Sequence, residues 1–385
     1  MTCNNKLLLL SEIFPPAVGG SGRWLSQLYE RLPGEKLVFT DMVESCNDPE
    51  YVNRIPFDLL ETGGFSPKGI GNYFRILRLL RRATRDVNPS HCQAARVVPE
   101  GWVLYLWNRF FGGPSYDVFA HGEEVNLEAV SEGGVMSSRQ HRMMARRVFK
   151  NAERVIANST NTASILRQQW RVPGEKVVVL NPAIDTSMYR PADDLAAVRR
   201  RLGWENRFVL LTVGRLQRRK GQDHVIEAVD ELASQIPNLL YVVAGGGEEY
   251  GRLQTLVANR GLGKFVHFAQ GLSDESLIEY YQGSDVFVLA NRNVGADIEG
   301  FGIVLLEAAG CAKPTITGCT GGTKEAIEEG VTGMIVDGAR PTEIAKAVVK
   351  LYETPDLRAR MGLKGRRRVL DSFDWSTVVA SLDFD

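Results

Sequence analysis

At 385 residues the chain is long for a single hydrophobic core, and two domains are expected. Lys plus Arg and Asp plus Glu both number 46, which excludes a general polyanion binder such as a nucleic-acid domain, so any anion site must be local. The five cysteines (Cys3, Cys46, Cys92, Cys311 and Cys319) are scattered without a Cys-x-x-Cys pair, which argues against a disulfide framework and a zinc site and fits a reducing cytoplasm.

The apolar run at 6–10 stops at Ser11-Glu12, too short for the core of a leader peptide, and no stretch approaches the roughly 20 apolar residues that span a bilayer. After Phe14-Pro15-Pro16 comes Gly19-Gly20-Ser21-Gly22-Arg23, and then Trp24, Leu25, Leu28 and Leu32 at helical spacing: strand, glycine loop, helix. The glycine spacing is not that of a dinucleotide fingerprint, which disfavours a nicotinamide enzyme; the loop either approaches a phosphate or merely connects strand to helix. A second strand is expected at 37–39, and 47–68 is turn-rich with a short apolar piece at 55–60. Over 73–87 a helix places Arg75, Arg78, Arg81, Arg82 and Arg85 on one arc and Ile76, Leu79, Leu80 and Ala83 on the other. That arc is either a solvated face or attracted to an anionic membrane surface. Residues 88–115 show no clean periodicity. A strand at 116–120 ends at His121-Gly122-Glu123-Glu124, where an imidazole either serves structure or handles a proton or hydroxyl. A basic helix at 139–150, a strand at 154–157, an N-cap cluster at Asn158-Ser159-Thr160 and a strand at 177–180 complete this half.

Residues 181–194, with Pro182 and Pro191, read as a linker; Asp193-Asp194 suits a hinge or helix start better than a metal site. The strand-then-helix rhythm resumes at 208–213. Gly214-Arg215-Leu216-Gln217-Arg218-Arg219-Lys220-Gly221 follows, ahead of a helix over 223–234. Four cations in six positions either face solvent or require a neutralising anion. Further strands are expected at 239–244, 266–269, 285–290, 314–317 and 333–336. Between the strands at 285–290 and 314–317 lies Asp297-Ile298-Glu299-Gly300-Phe301-Gly302-Ile303-Val304-Leu305-Leu306-Glu307. Its glycines admit close backbone approach, and a helix beginning near Ile303 or Val304 offers unpaired N–H groups to an anion, with Glu299 and Glu307, about two turns in, as hydroxyl acceptors. Alternatively both glutamates are solvated. The tail from about 358 to 375 reads as a basic helix.

Strand–helix alternation on both sides of the linker indicates an α/β chain of two Rossmann-like domains facing each other over a cleft, with the candidate loops at carboxyl ends of strands. With these loops in order, the sequence resembles the retaining glycosyltransferases of family 4, which have the GT-B fold, along nearly its whole length and most strongly over 205–340. Within that family the His-Gly-Glu-Glu turn and the 297–304 wording look most like GDP-mannose-dependent α-mannosyltransferases, while UDP-hexoses stay open as donors.

The resemblance implies a domain of residues 1–184 that reads the acceptor, a donor domain of 185–368, and a final helix at about 369–385 returning to the first. It implies His121, Glu299, Arg215 and Lys220 as the catalytic set. Donor contacts would come from Gly19, Gly20, Arg215, Lys220, Gly300, Phe301, Gly302, Ile303, Val304 and Glu307. Arg215 and Lys220 would hold the diphosphate with the amides near 302–304, Glu299 would lie beside the sugar, Glu307 would take the ribose, and His121 would sit near the anomeric carbon. No cofactor and no metal is expected, since the sequence offers no convincing Asp-x-Asp metal motif. The expected partners are a nucleotide-sugar donor and a glycan or lipid-linked acceptor; a peripheral contact with the inner face of an anionic membrane is a further expectation for a cytoplasmic protein. An epimerase, a phosphorylase or a nucleotide-sugar binder without turnover are the competing classes; a phosphorylase would need a Schiff-base lysine for which Lys313 and Lys324 give no context.

Overall fold

A computed structural model describes residues 6–16, 20–43, 48–57, 67–85, 87–122, 124–127, 135–295 and 297–380. The chain forms two compact units, 1–181 and 182–385.

The first unit is built on a seven-stranded parallel sheet in the order β3-β2-β1-β4-β5-β6-β7. Its strands are β1 (Leu7–Leu10), β2 (Lys36–Asp41), β3 (Val52–Ile55), β4 (His91–Ala94), β5 (Ser115–Ala120), β6 (Val155–Ala157) and β7 (Val177–Val179). Among the described residues five α-helices accompany them: α1 (Gly20–Arg31), α2 (Pro67–Ala83), α3 (Glu100–Phe111), α4 (Arg139–Asn151) and α5 (Thr160–Gln168). In α5 the Ser159 hydroxyl accepts from the Thr162 N–H at 3.0 Å, the cap its sequence announces. Two expectations need correction. The stretch 88–115 contains β4 and α3, hidden because Trp102, Val103, Leu104, Tyr105 and Trp107 are buried nearly all round, which erases a one-sided periodicity. On α2, Arg75 donates to the Phe57 carbonyl at 3.2 Å and Ala83 is exposed, so the exposed arginines are Arg78, Arg81, Arg82 and Arg85.

The second unit has a six-stranded parallel sheet, β10-β9-β8-β11-β12-β13. It comprises β8 (Phe208–Val213), β9 (Leu239–Ala244), β10 (Val266–Ala269), β11 (Val286–Leu289), β12 (Thr315–Gly318) and β13 (Gly333–Val336). The helices are α6 (Leu195–Leu202), α7 (Gln222–Leu232), α8 (Tyr250–Asn259), α9 (Asp274–Gly283), α10 (Ile303–Gly310), α11 (Thr323–Ala326), α12 (Pro341–Glu353), α13 (Pro355–Ser372) and α14 (Trp375–Ala380). Every residue of β8 is buried, as a central strand covered on both faces requires. One core joins the sheet to α7, α8 and α12, the other to α9, α10 and α13. Asp194 caps α6 through the Ala197 N–H at 2.9 Å and Asp193 pairs with Arg190 at 2.6 Å, so both members of the Asp193-Asp194 pair are occupied structurally. Near the end of the chain the Ile184 N–H donates to the Phe373 carbonyl at 2.9 Å, and the Thr186 hydroxyl donates to Asp374 at 2.5 Å. Residues 381–385 of the expected terminal helix lie outside the described residues.

In each sheet the strand order reverses once, between β1 and β4 and between β8 and β11. A crevice at the carboxyl ends of the strands opens at such a point, because the crossover helices on either side depart to opposite faces.

Candidate functional site

In the second unit the loops leaving β8 and β11 meet at that reversal. Residues Arg218–Lys220 form a turn of 3-10 helix that ends at Gly221, and the Arg292 N–H donates to the Arg219 carbonyl at 2.8 Å, tying the two loops together. Lys220 Nζ lies 2.5 Å from Glu299 Oε2, with both side chains about nine-tenths buried. Arg219 approaches the same oxygen at 3.6 Å and Asp297 at 3.2 Å. Burial penalises the Glu299 charge, yet Lys220 and then Arg219 hold its carboxyl lower than the usual carboxylate range.

Three of the four cations in this loop therefore carry protein counter-charges, Arg218 through Glu249 at 3.4 Å. Arg215 differs: it is exposed, and among the described residues its guanidinium has no ion-pair partner. An incoming anion meets one unspent cation and one cation held by Glu299. Behind them Arg292 grips Asp223 with two bonds of 2.7 and 2.8 Å, and Arg252 adds a third at 2.7 Å. Although burial works against the charge, Arg292 and Arg252 hold Asp223 at about 2.

The stretch 297–307 starts as a loop and enters α10 at Ile303, with Gly302 as N-cap in the left-handed region (φ 82°) and no side-chain cap bond. The Leu305 N–H turns back to the Gly302 carbonyl at 2.9 Å, which leaves the amides of Ile303 and Val304 for another acceptor. Phe301 is buried against Phe373 and Ile303 and Val304 are partly buried on the core, so Phe301 and Gly300 would meet a ligand through their backbone. Glu307 lies just over one turn into α10 rather than two, and accepts from the Tyr281 hydroxyl at 2.5 Å. Asn291 organises the neighbouring loop. Its Oδ1 accepts from the Gly318 N–H at 3.0 Å and its Nδ2 donates to the Thr320 carbonyl at 2.7 Å.

In the first unit Gly19 lies outside the described residues, as does Glu123, while Gly20 opens α1 with nothing within 4 Å of where a Cβ would be. His121 leaves β5 with Nε2 2.8 Å from the Ala95 carbonyl and its ring edge-on to Trp24 at 5.8 Å. A carbonyl can only accept, so Nε2 carries the proton. Burial, with Arg96 close by, depresses the imidazole to about 4 against the pull of the carbonyl bond. At neutral pH the ring is uncharged and Nδ1 is a hydrogen-bond acceptor.

Asp223, Asn291, Tyr281 and Arg292 escaped the sequence reading, as did Arg96 and Glu100 beside His121, and Arg219 enters it only as one of the four cations of its loop. A basic loop can be seen in a sequence, but the pairing of three of its cations with carboxylates 31 to 79 residues away cannot. His91, Asp117 and Glu153 bring one ligand atom each within 4.8 Å of one another, toward the amino ends of β4 and β5. Asp117 is already committed to Arg154 at 3.0 Å.

Two family models cover most of the chain in tandem: Glycosyltransferase Family 4 over residues 18–188 and Glycosyl transferases group 1 over 196–368. A GDP-mannose-dependent alpha-(1-6)-phosphatidylinositol monomannoside mannosyltransferase of Mycobacterium tuberculosis is 27% identical across 98% of this chain and 97% of its own length. The protein of the same description from Mycolicibacterium smegmatis is 35% identical over 63% of this chain and 64% of its own. A D-inositol 3-phosphate glycosyltransferase of Streptomyces scabiei is 32% identical over 61% of this chain and 53% of its own. Among solved structures, sucrose-phosphate synthase from Thermosynechococcus elongatus superimposes with a TM-score of 0.81 at 20% identity, covering 98% and 96% of the two chains. Anabaena HepE in complex with UDP gives 0.78 at 19%, covering 97% of each. With two parallel-sheet units, a cationic loop and uncapped helix at the strand ends of the second, and these matches along its length, the chain belongs to the family 4 glycosyltransferases of the GT-B fold.

Proposed function

We propose that this protein moves a hexosyl group, with mannose favoured, from a nucleoside-diphosphate sugar to a hydroxyl of a lipid-linked, polysaccharide or small glycoside acceptor, with retention and without a metal. The observation that carries this is the Lys220–Glu299 pair, which ties the cationic loop holding the exposed Arg215 to the stretch that opens α10 with no side-chain cap. The glycosyl–phosphate bond breaks as the acceptor oxygen bonds to the anomeric carbon from the same face, and the hydroxyl proton passes to the departing diphosphate. Charge on that leaving group is met by Arg215, Lys220 and the backbone amides of 302–304, so that protein groups supply what a divalent ion would otherwise supply. Glu299 serves the sugar, Glu307 the ribose, and Gly20 gives the backbone room to approach the donor. His121, neutral with Nδ1 as an acceptor, is suited to orient a hydroxyl. Mannose is favoured by the relatives named for GDP-mannose. The outer face of α2 bears Phe74, 57% exposed, among Arg78, Arg81 and Arg82, which suits contact with anionic lipid.

Thermal-shift measurements against GDP-mannose and a panel of UDP-sugars test the donor, because a ligand bound only by the native state raises the melting temperature. GDP-mannose should raise it and support transfer in the presence of EDTA; absence of any shift across the panel removes the donor reading. Sedimentation with phosphatidylglycerol vesicles at low salt tests the face of α2.

A further inference from the structure

One buried amide grips the loop that leaves β12. Asn291, the second residue past β11, is fully buried and uses both ends of its side chain. Its Oδ1 accepts from the Thr317 hydroxyl and the Gly318 N–H, each at 3.0 Å, and its Nδ2 donates to the Thr320 carbonyl at 2.7 Å and to the Thr323 hydroxyl at 3.3 Å. Aspartate has the same length but offers no donor when ionised, so only the amide satisfies both sides. The two strand exits also touch through their backbones: a Cβ on Gly318 would fall 1.7 Å from the Asn291 carbonyl oxygen.

The other side of that loop touches the stretch that carries Glu299. The Gly322 N–H donates to the Glu299 carbonyl at 3.0 Å. Gly321, at φ 68°, passes so close that a Cβ there would fall 2.1 Å from the same oxygen, and the Thr323 methyl lies 3.1 Å from where a Cβ on Gly302 would stand. The backbone of Glu299 therefore leans on 321–323, and 317–323 hangs on Asn291, while the Glu299 side chain reaches Lys220 at 2.5 Å. Arg292, next in the chain, braces the lysine side through its N–H on the Arg219 carbonyl. A group that acts on a substrate must stand within about 0.5 Å of its productive place, and support of this kind is what holds it there.

We propose that Asn291 is a positioning residue for Glu299: through the loop 317–323 it fixes the backbone of Glu299, and so sets where that carboxylate stands against Lys220 and the donor sugar. The proposal rests on the transfer reaction proposed above for the sugar, and on the Lys220–Glu299 pair alone for the rest. A buried amide that only satisfied its own loop would stabilise the fold without regard to residue 299. An amide that places Glu299 is coupled to it, so that removing the carboxylate makes the amide matter less.

The test is a pair of double-mutant cycles in the full chain. Asn291→Asp keeps the acceptor side and sets an oxygen against the Thr320 carbonyl; Asn291→Ser, which loosens the grip without adding a charge, takes its place if the aspartate variant does not fold. Gly321→Ala leaves Asn291 intact and pushes the loop off the Glu299 carbonyl. With GDP-mannose, each should lower kcat about thirtyfold with KM for the donor nearly unchanged. Added to Glu299→Gln, each should lower kcat by less than about threefold further, because the carboxylate it placed is gone. In urea, the stability loss from Asn291→Asp and that from Glu299→Gln should together exceed the loss in the double variant, since the first already disturbs the ion pair that the second removes. Wild-type kcat in the Asn291 variant, kcat losses that multiply in full, or stability losses that simply add overturn the positioning role. If the wild type transfers from no nucleotide sugar, the proposed function falls, and the cycle in urea still decides whether Asn291 acts on Glu299.

Discussion

Glu299 Oε2 and Lys220 Nζ form a 2.5 Å ion pair that joins the loop leaving β8 to the loop leaving β11, each partner buried and each proposed for a different part of the donor. The lysine proposed for phosphate is therefore paired with the carboxylate proposed for sugar. A diphosphate must share Lys220 with Glu299 or draw it away. Removing either partner should abolish most transfer, but the two should differ in nucleotide binding. Lys220→Ala should weaken GDP binding about tenfold or more, through loss of a charge-assisted contact. Glu299→Gln, which releases Lys220, should bind GDP as tightly as wild type or tighter. Isothermal titration with GDP alone decides it; equal weakening in both variants contradicts the competition. Arg219 remains beside Glu299 in Lys220→Ala, so the stability loss should be about 2 kcal/mol, below that of a lone buried pair.

The second glutamate depends on a tyrosine. Tyr281 is fully buried, its hydroxyl is 2.5 Å from Glu307, and burial followed by the Glu307 charge drives its own ionisation far above the ordinary range. It acts as a permanent donor that fixes the carboxylate. Tyr281→Phe should cost about 1 kcal/mol of stability, measurable by urea titration, and raise KM for the donor while leaving kcat nearly unchanged. Glu307→Gln should lose about tenfold in affinity for GDP and nothing for a 2′,3′-dideoxy nucleotide, since the lost contact is then absent in both. Equal losses for the two nucleotides would remove Glu307 from the ribose.

Much of this site was legible because its chemistry is local in sequence. The loop 214–221 and the stretch 297–307 each carry their glycines, charges and helix start in one piece, and strand-then-helix alternation places both at strand ends. What could not be read depends on the sheet. Arg219 with Asp297, Arg292 with Asp223 and Tyr281 with Glu307 meet only because β8 and β11 are neighbours and α9 packs by α10. Likewise β4 and α3 were invisible because burial on several sides removes the polar face that marks an amphipathic helix. From its sequence the basic run 215–220 either faces solvent or requires a neutralising anion, and protein carboxylates already pair with three of its four cations.

Asp223 makes acid stability a test of the network behind the loop. Its folded value of about 2 lies below the ordinary 3.8, so its contribution is present above pH 4 and is lost as pH falls towards 2. The difference corresponds to about 2 kcal/mol. Asp223→Asn should melt well below wild type at pH 7, and the gap should close progressively between pH 4 and pH 2. His121 adds a second window with its own cause: its folded value of about 4 lies below 6.5, so the fold loses stability from about pH 6.5 down to 4 as the unfolded chain takes up the proton first. His121→Gln should remove that slope and leave the Asp223 window intact.

Gly20 and Gly221 separate a glycine that would serve a ligand from one that serves the fold. Gly221 sits at φ 74°, and a Cβ there would fall 1.9 Å from the Ala290 carbonyl oxygen at the end of β11. No side chain can be admitted without parting the two loops that hold Lys220 and Glu299. Gly221→Ala should therefore lose about 3 kcal/mol or fail to accumulate as folded protein. Gly20 has open space around its missing Cβ and ordinary backbone at the first position of α1, where alanine is the better helix former by about 1 kcal/mol. Gly20→Ala should melt at or slightly above the wild-type temperature. If the start of α1 approaches the donor, the same methyl group stands in its way, and transfer should fall about tenfold or more while the fold is unharmed. A stable Gly20→Ala protein with wild-type kcat/KM for the donor would show that this turn connects strand to helix and does nothing else.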